Sequence, residues 1–316
     1  MPVHARAPLR LSFSGGGSDT QAYSSRYGGL VLSAAIARYV TVIGEIGASV
    51  FRSYPEDETD PSYLMKIAGL YHLGPVGLEA RIDAPPRSGL GGSGALGVAA
   101  LGALRTMAAQ PLSPWEVAEE AYRFETEVMQ NHGGRQDQYA AAFGGLNLIS
   151  FEGEKVGVKT LELRRETLLA LESSLVMVFI HARAGASGRI MAEEAQGVAR
   201  GDRELLDALS RQKYLALEMA RALEAGDLTY FGKTLAEAWE TKKKQAVSIT
   251  NDVVDGVYSL ARKAGALGGK LCGAGGGGYM ILFAPDKAGP VSDTLRAVGL
   301  RPENVVFDFR GLAVWE

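Results

Sequence analysis

Residues 9–13 are short and apolar and stop at "SGGGSD", which predicts a strand entering a glycine-rich turn. From residue 28, "GGLVLSAAIARYVTVIGEI" returns to a β-branched apolar pattern and reads as strands, with room for a short helix among them. Residues 77–83 alternate apolar and polar side chains and end at Pro85 and Pro86, so a strand stops where proline withholds its N–H. Residues 94–107 are helical by composition. Residues 111–129 restart with Ser113 as N-cap, Pro114 at the first helical position and Glu116 at the third, which predicts a capping box. Residues 143–151 read as a strand pair or hairpin. The pattern turns polar over residues 152–172, which places a division there, with domains over 1–160 and 161–316. Residues 175–180 form an apolar strand, and residues 191–225 and 230–246 carry two long helical patterns. A second glycine-rich run, "GGKLCGAGGGGYMILFAP", then feeds another strand.

Composition narrows the class. The chain has 316 residues, 47% hydrophobic and 22% charged, the profile of a globular protein with a sizeable core. A formal net charge of −3 argues against nucleic acid as a partner. Cys272 is the only cysteine, so an intrachain disulfide is ruled out and a cysteine-based zinc site is not expected, as suits the cytoplasm. The N-terminal residues lack a signal-peptide core and no apolar run reaches membrane-spanning length, so no membrane partner is expected.

The candidate chemistry lies in the glycines. Residues 89–94 read Gly-Leu-Gly-Gly-Ser-Gly and fit G-x-G-x-x-G. The dinucleotide-binding version needs a strand running straight into the first glycine and a strand after the helix. Here two prolines intervene, and a second capped helix follows. A Walker A loop ending at Gly232-Lys233-Thr234 would need glycine where Asp227 stands. The H-R-D and D-F-G motifs of protein kinases are absent. What remains is a backbone cradle for phosphate at a helix N-terminus, or else close helix packing by small residues. Asp137 in "GGRQDQYAAAFGGLN" and Glu125 one helix upstream supply two carboxylates. Phosphoryl transfer needs little more than a metal, a phosphate cradle, an orienting base and a nearby cation.

Three segments carry a family resemblance, in order, from Ala7 to Phe283. "APLRLSFSGGGSD", "PPRSGLGGSGAL" and "KLCGAGGGGYMILF" resemble the three motifs of the GHMP kinases (galactokinase, homoserine kinase, mevalonate kinase, phosphomevalonate kinase). Within the family, "GGRQDQYAAAFGG", residues 239–243 and "AGALGGKLCGAGGGG" are similar to the D-glycero-D-manno-heptose 7-phosphate kinases. The resemblance implies an α+β fold. Its N-terminal domain would be like ribosomal protein S5 domain 2 and its C-terminal domain ferredoxin-like, with the active site between them. It implies ATP and Mg²⁺ as cofactors, a sugar phosphate as substrate, and a monomer or homodimer.

The resemblance also assigns residues. Asp137 would be the catalytic aspartate and Arg10 the cation that keeps it ionised. Ser88, Gly89, Leu90, Gly91, Gly92, Ser93 and Gly94 would bind ATP, and Ser93 with Glu125 would hold the metal. Gly16, Gly17, Asp19, Gln136, Gly275 and Gly276 would line the sugar site. Lys242 or Lys243 would meet the sugar's own phosphate, chosen from candidates that include Lys244, Arg183 and Arg189. The chain departs from the pattern at three places. Arg87 stands where the second motif usually has glycine, the motif's serine triplet is reduced to Ser93, and Ala37 replaces an acidic residue. The implied reaction is phosphorylation of the anomeric hydroxyl of heptose 7-phosphate to the 1,7-bisphosphate. An octose 8-phosphate or fucose fits the same motifs. A non-catalytic sensor of this fold would have no need of Asp137.

Overall fold

The computed structural model describes residues 1–54, 61–131, 133–183 and 187–316; the side chains of residue 61 and residues 187–189, Arg189 among them, lie outside the described set. The first half contains β1 (Val3–Ser14), α1 (Gln21–Tyr27), β2 (Gly29–Ile46), β3 (Phe51–Tyr54), α2 (Pro61–Ala68), β4 (Val76–Ile82), α3 (Gly92–Met107), α4 (Pro114–Arg123), α5 (Gln136–Phe143), β5 (Leu146–Glu152) and β6 (Lys155–Thr160). The second contains α6 (Arg165–Ser174), β7 (Leu175–His181), α7 (Ser187–Arg200), α8 (Arg203–Ala225), α9 (Leu228–Lys243), α10 (Asp252–Lys263), β8 (Gly268–Leu271), β9 (Gly278–Phe283), α11 (Ala288–Ala297), β10 (Pro302–Asn304) and β11 (Ala313–Trp315). Strand expectations over residues 77–83 and 175–180 are met; residues 143–151 hold the single strand β5 and not a strand pair, its hairpin partner being β6.

The segment after residue 28 is one strand with no helix in it. β2 pairs with β1 along one edge and, along the other, with β5 through residues 29–34 and β4 through residues 40–46. Its pairing with β1 slips between Pro8 and Leu9, where proline has no N–H to give the ladder. The freed Ala37 N–H donates instead to the Val306 carbonyl at 2.8 Å. The replaced acidic position therefore lies at this bulge.

The larger sheet runs β11-β1-β2-β4-β3, with β5 and β6 continuing from β2; the smaller is antiparallel in the order β10-β7-β9-β8. β1 is buried continuously from Ala7 onward, because α3 and α5 pack on it as well as α8 and α9. The central helix α3 is buried at every position from 94 to 104. Its Ala, Gly and Leu content thus serves close packing inside the core, while its first turn faces outward. Of the alternatives left open for the glycine-rich run, close packing holds along the body of this helix.

Two local expectations fail. Ser113 makes no side-chain capping bond. The Glu116 carboxylate turns to Arg105 Nη1 at 2.9 Å, since a charge-assisted bond is stronger than a neutral cap. The helix expected over 191–225 is broken: Gly201 takes φ 72°, and Asp202 caps the next helix by accepting from the N–H groups of Glu204 and Leu205.

Arg87 explains its own departure from the motif. It is exposed and holds φ 55°, the left-handed conformation that the usual glycine adopts freely. Arg87→Gly should relieve about 1 kcal/mol of strain and raise the melting temperature by about 2–4 °C. An unchanged or lower melting temperature would show that the loop stores no such strain.

Candidate active site

β1 delivers Arg10 to the end of the glycine loop that opens α3. Arg10 is 4% exposed. Its Nε and Nη2 reach Asp137 Oδ1 at 2.8 and 2.7 Å, and its Nη1 donates to the Gly89 carbonyl at 2.6 Å. Asp137 lies in the first turn of α5 and keeps about a quarter of its side chain open to the cleft. The two glycine loops lie back to back. Tyr279 N–H donates to the Ser88 carbonyl at 2.8 Å, and a Cβ on Gly89 would stand 2.5 Å from the Cys272 carbonyl oxygen. Only glycine fits there. Cys272 is fully buried, and burial pushes its thiol pKa up, so it is not poised as a nucleophile.

Two chambers meet at Asp137. The larger is a cleft of about 490 Å³ bordered by Gly89, Gly91, Ser93, Arg183 and the Arg10–Asp137 pair. It opens onto the N-terminus of α3, where unpaired N–H groups suit a polyphosphate. The smaller recess lies on the other side of Asp137 and is lined by Gly16, Gly17, Asp19, Gln136, Glu194 and Lys242. Asp19 is fixed there by the Gly17 N–H at 3.0 Å and by the Gln136 N–H and Nε2 at 3.2 and 3.1 Å. Gly134 passes so close that a Cβ on it would overlap the Asp19 carboxylate.

Burial dominates the electrostatics of the recess. It raises the Asp19 pKa, with the charge of Asp137 adding to the effect. It pushes Glu194 up to about 7 against the pull of Lys242, and lowers Lys242 against the pull of Glu194 and Asp19. Lys270 lies beneath, donating to the Ser12 carbonyl at 2.6 Å; burial, reinforced by Lys242, lowers it to about 7.

Glu125 comes from a single π-helical turn over Phe124–Val128, which continues α4. Its Oε2 accepts from Gln138 Nε2 at 2.5 Å, and the Ser93 hydroxyl bonds to the same carboxylate. Oε1 is buried with no partner among the described residues. An orphaned carboxylate oxygen beside a hydroxyl, at the mouth of a phosphate cradle, fits a hard divalent cation that takes its other ligands from phosphate and water. No group of three His, Cys, Asp or Glu side chains suited to a metal occurs among the described residues.

The expected residues are mostly brought together, with exceptions. Lys243 pairs with Glu240 at 2.7 Å over the Trp239 ring and lines neither chamber. Lys244 lies in a groove between α8 and α9. Gly273 and Ala274 line both chambers, whereas Gly275 and Gly276 turn behind them against Ile249. Glu194 and Lys270 were missed. Lys270 had a signal, a charge inside "GGKLC"; Glu194 looked like one more acid on a helix.

The fold and the two chambers define a phosphotransferase for a small polar substrate. A model of the GHMP kinases N terminal domain matches residues 62–145 and one of the GHMP kinases C terminal region matches residues 219–299. The chain is 32% identical to a D-glycero-alpha-D-manno-heptose 7-phosphate kinase of Campylobacter jejuni, over 99% of this chain and 98% of that one. The crystal structure of a D-glycero-D-manno-heptose 1-phosphate kinase from Bacteroides thetaiotaomicron superposes with a TM-score of 0.80 at 28% identity, over 99% of both chains. Lactococcus lactis galactokinase shares the fold, with a TM-score of 0.76 at 19% identity, over 99% of this chain and 95% of that one. The chain belongs to the GHMP kinases and is an ATP-dependent sugar kinase of that family. No helix among the described residues is long and apolar enough to cross a membrane.

Burial raises the Glu125 pKa from 4.5 to about 7, with Asp137 adding to the shift while the Ser93 and Gln138 bonds oppose it. The unfolded chain therefore gives up this proton at lower pH than the fold does, and the metal-free protein loses stability as pH rises through that window. Glu125→Gln lacks this loss. Its melting temperature relative to the parent, measured in chelator, should climb between pH 4.5 and 7 and then level off. A constant difference would place Glu125 in a more solvated setting.

Proposed function

We propose that the protein transfers the γ-phosphoryl group of ATP to the anomeric hydroxyl of D-glycero-D-manno-heptose 7-phosphate, giving ADP and the 1,7-bisphosphate. The carrying observation is the position of Asp137, clamped by Arg10 where the phosphate cleft meets the polar recess. The glycine loop from Ser88 to Gly94 holds the triphosphate. The sugar sits in the recess with its hydroxyls on Asp19 and Gln136. Asp137 accepts the proton of the anomeric hydroxyl as its oxygen bonds to the γ-phosphorus and the bond to the β-phosphate oxygen breaks. Arg10 orients the Asp137 carboxylate and sets a positive charge beside it. Ser93 and Glu125 would hold Mg²⁺, which neutralises phosphate charge when bound.

Lys242 is the recess cation offered to the sugar's own phosphate, since Arg10 already gives three of its five N–H groups to Asp137 and Gly89. Glu194, with its pKa near neutrality, tolerates an incoming anion by taking up a proton.

The reading is tested by a phosphoryl-transfer assay over free sugars and terminal sugar phosphates, with the product phosphates located by ³¹P NMR. Heptose 7-phosphate should be turned over best and gain its second phosphate at C1. Equal turnover of free heptose would remove the 7-phosphate from the assignment, and a phosphate added at C7 of free heptose in place of C1 would overturn the assigned position. Asp137→Asn should lower kcat by about 10²–10⁴ with ATP affinity retained. A variant with most of its kcat would take Asp137 out of the mechanism. Lys242→Ala should weaken kcat/KM for the phosphorylated sugar by about ten- to a hundredfold more than for the free sugar, as expected for a lost charge-assisted bond. Equal losses on both would confine Lys242 to the sugar hydroxyls.

A further inference from the structure

Arg183 follows β7 by two residues and is 8% exposed. Its Nε and Nη1 have no hydrogen-bond partner among the described residues. Its stem packs beside Gly276 of the third motif, whose Cβ position lies 3.6 Å from Arg183 Cγ. A guanidinium held away from water with two nitrogens unpaired is costly, and such groups normally find partners. Its surroundings make the position less favourable still, since Arg10 and Arg87 repel it and only the charge of Asp137 acts to keep it protonated.

The missing partner is an anion, and its place can be narrowed. Arg183 borders the cleft together with Gly89, Gly91, Ser93 and Asp137, but it does not line the recess that holds Asp19 and Lys242. Arg10 is in part committed elsewhere, with three of its five N–H groups in use. Its Nε and Nη2 are engaged by Asp137, and its Nη1 by the Gly89 carbonyl.

We propose that Arg183 is a further catalytic residue, whose free Nε–H and Nη1–H groups donate to the oxygens of the phosphoryl group in flight. This rests on the kinase reading above. As the bond between the γ-phosphorus and the leaving ADP oxygen breaks and the bond to the sugar oxygen forms, charge spreads over the γ-phosphoryl oxygens. Two fixed donors stabilise that charge without having to reorganise. The alternative task, meeting the sugar's own phosphate, would need Arg183 on the recess side of Asp137.

Steady-state kinetics of Arg183→Ala and Arg183→Lys with free heptose and heptose 7-phosphate separate the two. The alanine variant should lose about 10²–10³ in kcat on both sugars, with little change in either sugar's KM. Added guanidinium should restore part of its rate. Lysine should recover only a fraction, because it keeps the charge but loses the fork. A loss confined to KM for the phosphorylated sugar, or an unchanged kcat, would overturn the proposal. Calorimetry gives a reading that does not depend on the identity of the sugar. Arg183→Ala should weaken a non-hydrolysable ATP analogue about tenfold more than ADP, the size expected of a lost charge-assisted bond. An equal effect on both nucleotides would overturn the assignment to the γ-phosphoryl group, even if the sugar proves to be different. Failure of the parent enzyme on every heptose would fall on the substrate assignment instead.

Discussion

The ion pair between Arg10 and Asp137 joins three segments that are far apart in the chain. Arg10 rides on the central strand β1, Asp137 on the first turn of α5, and the Gly89 carbonyl belongs to the loop ahead of α3. Drawing them together demands that backbone pass very close to charged side chains. A Cβ on Gly91 would lie 3.2 Å from carbons of both Arg10 and Asp137, and one on Gly94 would lie 2.7 Å from Asp137 Cβ. The density of glycine ahead of a strong helix former follows from that constraint. The loop must approach the pair more closely than a side chain would allow.

Much of the site was legible because its signals are local. Glycine runs and an aspartate behind Gly-Gly each occupy a few adjacent residues. What was not legible depends on phase and on distant partners. In "KKK", Lys242 turns into the recess, Lys243 lies over Trp239 and Lys244 faces another groove. Composition says nothing about which face of α9 is buried. Glu194 acquires meaning only once α7 is laid beside Asp19 and Lys242. The continuity of β2 depends on β4 and β5 dividing one of its edges, an arrangement invisible in β2 itself. The break between α7 and α8 is different, since Gly201 and Asp202 spell a helix stop and start that the apolar periodicity outweighed.

Burial weighs on charge in both chambers. In the recess, acids and lysines are buried together, and each shifts toward its neutral form. In the cleft, burial and the charge of Arg10 push Arg183 the same way. Asp137 stands at the boundary, clamped by Arg10. On the proposed mechanism, proton acceptance and phosphoryl stabilisation fall to different residues within one short span.

β11 lies against the outer edge of β1, with His4 opposite Trp315 and their rings stacked. The first strand made is therefore covered by one of the last. On the ribosome, the edge of β1 stays open while nearly the whole chain is translated, including all of the smaller sheet. An open edge is a template for pairing with another chain. Nascent copies on one polysome are thus exposed to mutual capture for most of synthesis, and truncated chains that stop before β11 carry that hazard permanently. The pairing that closes this edge spans only residues 4–6 of β1, so three residues near the end of the chain decide whether its first strand is left with a free edge.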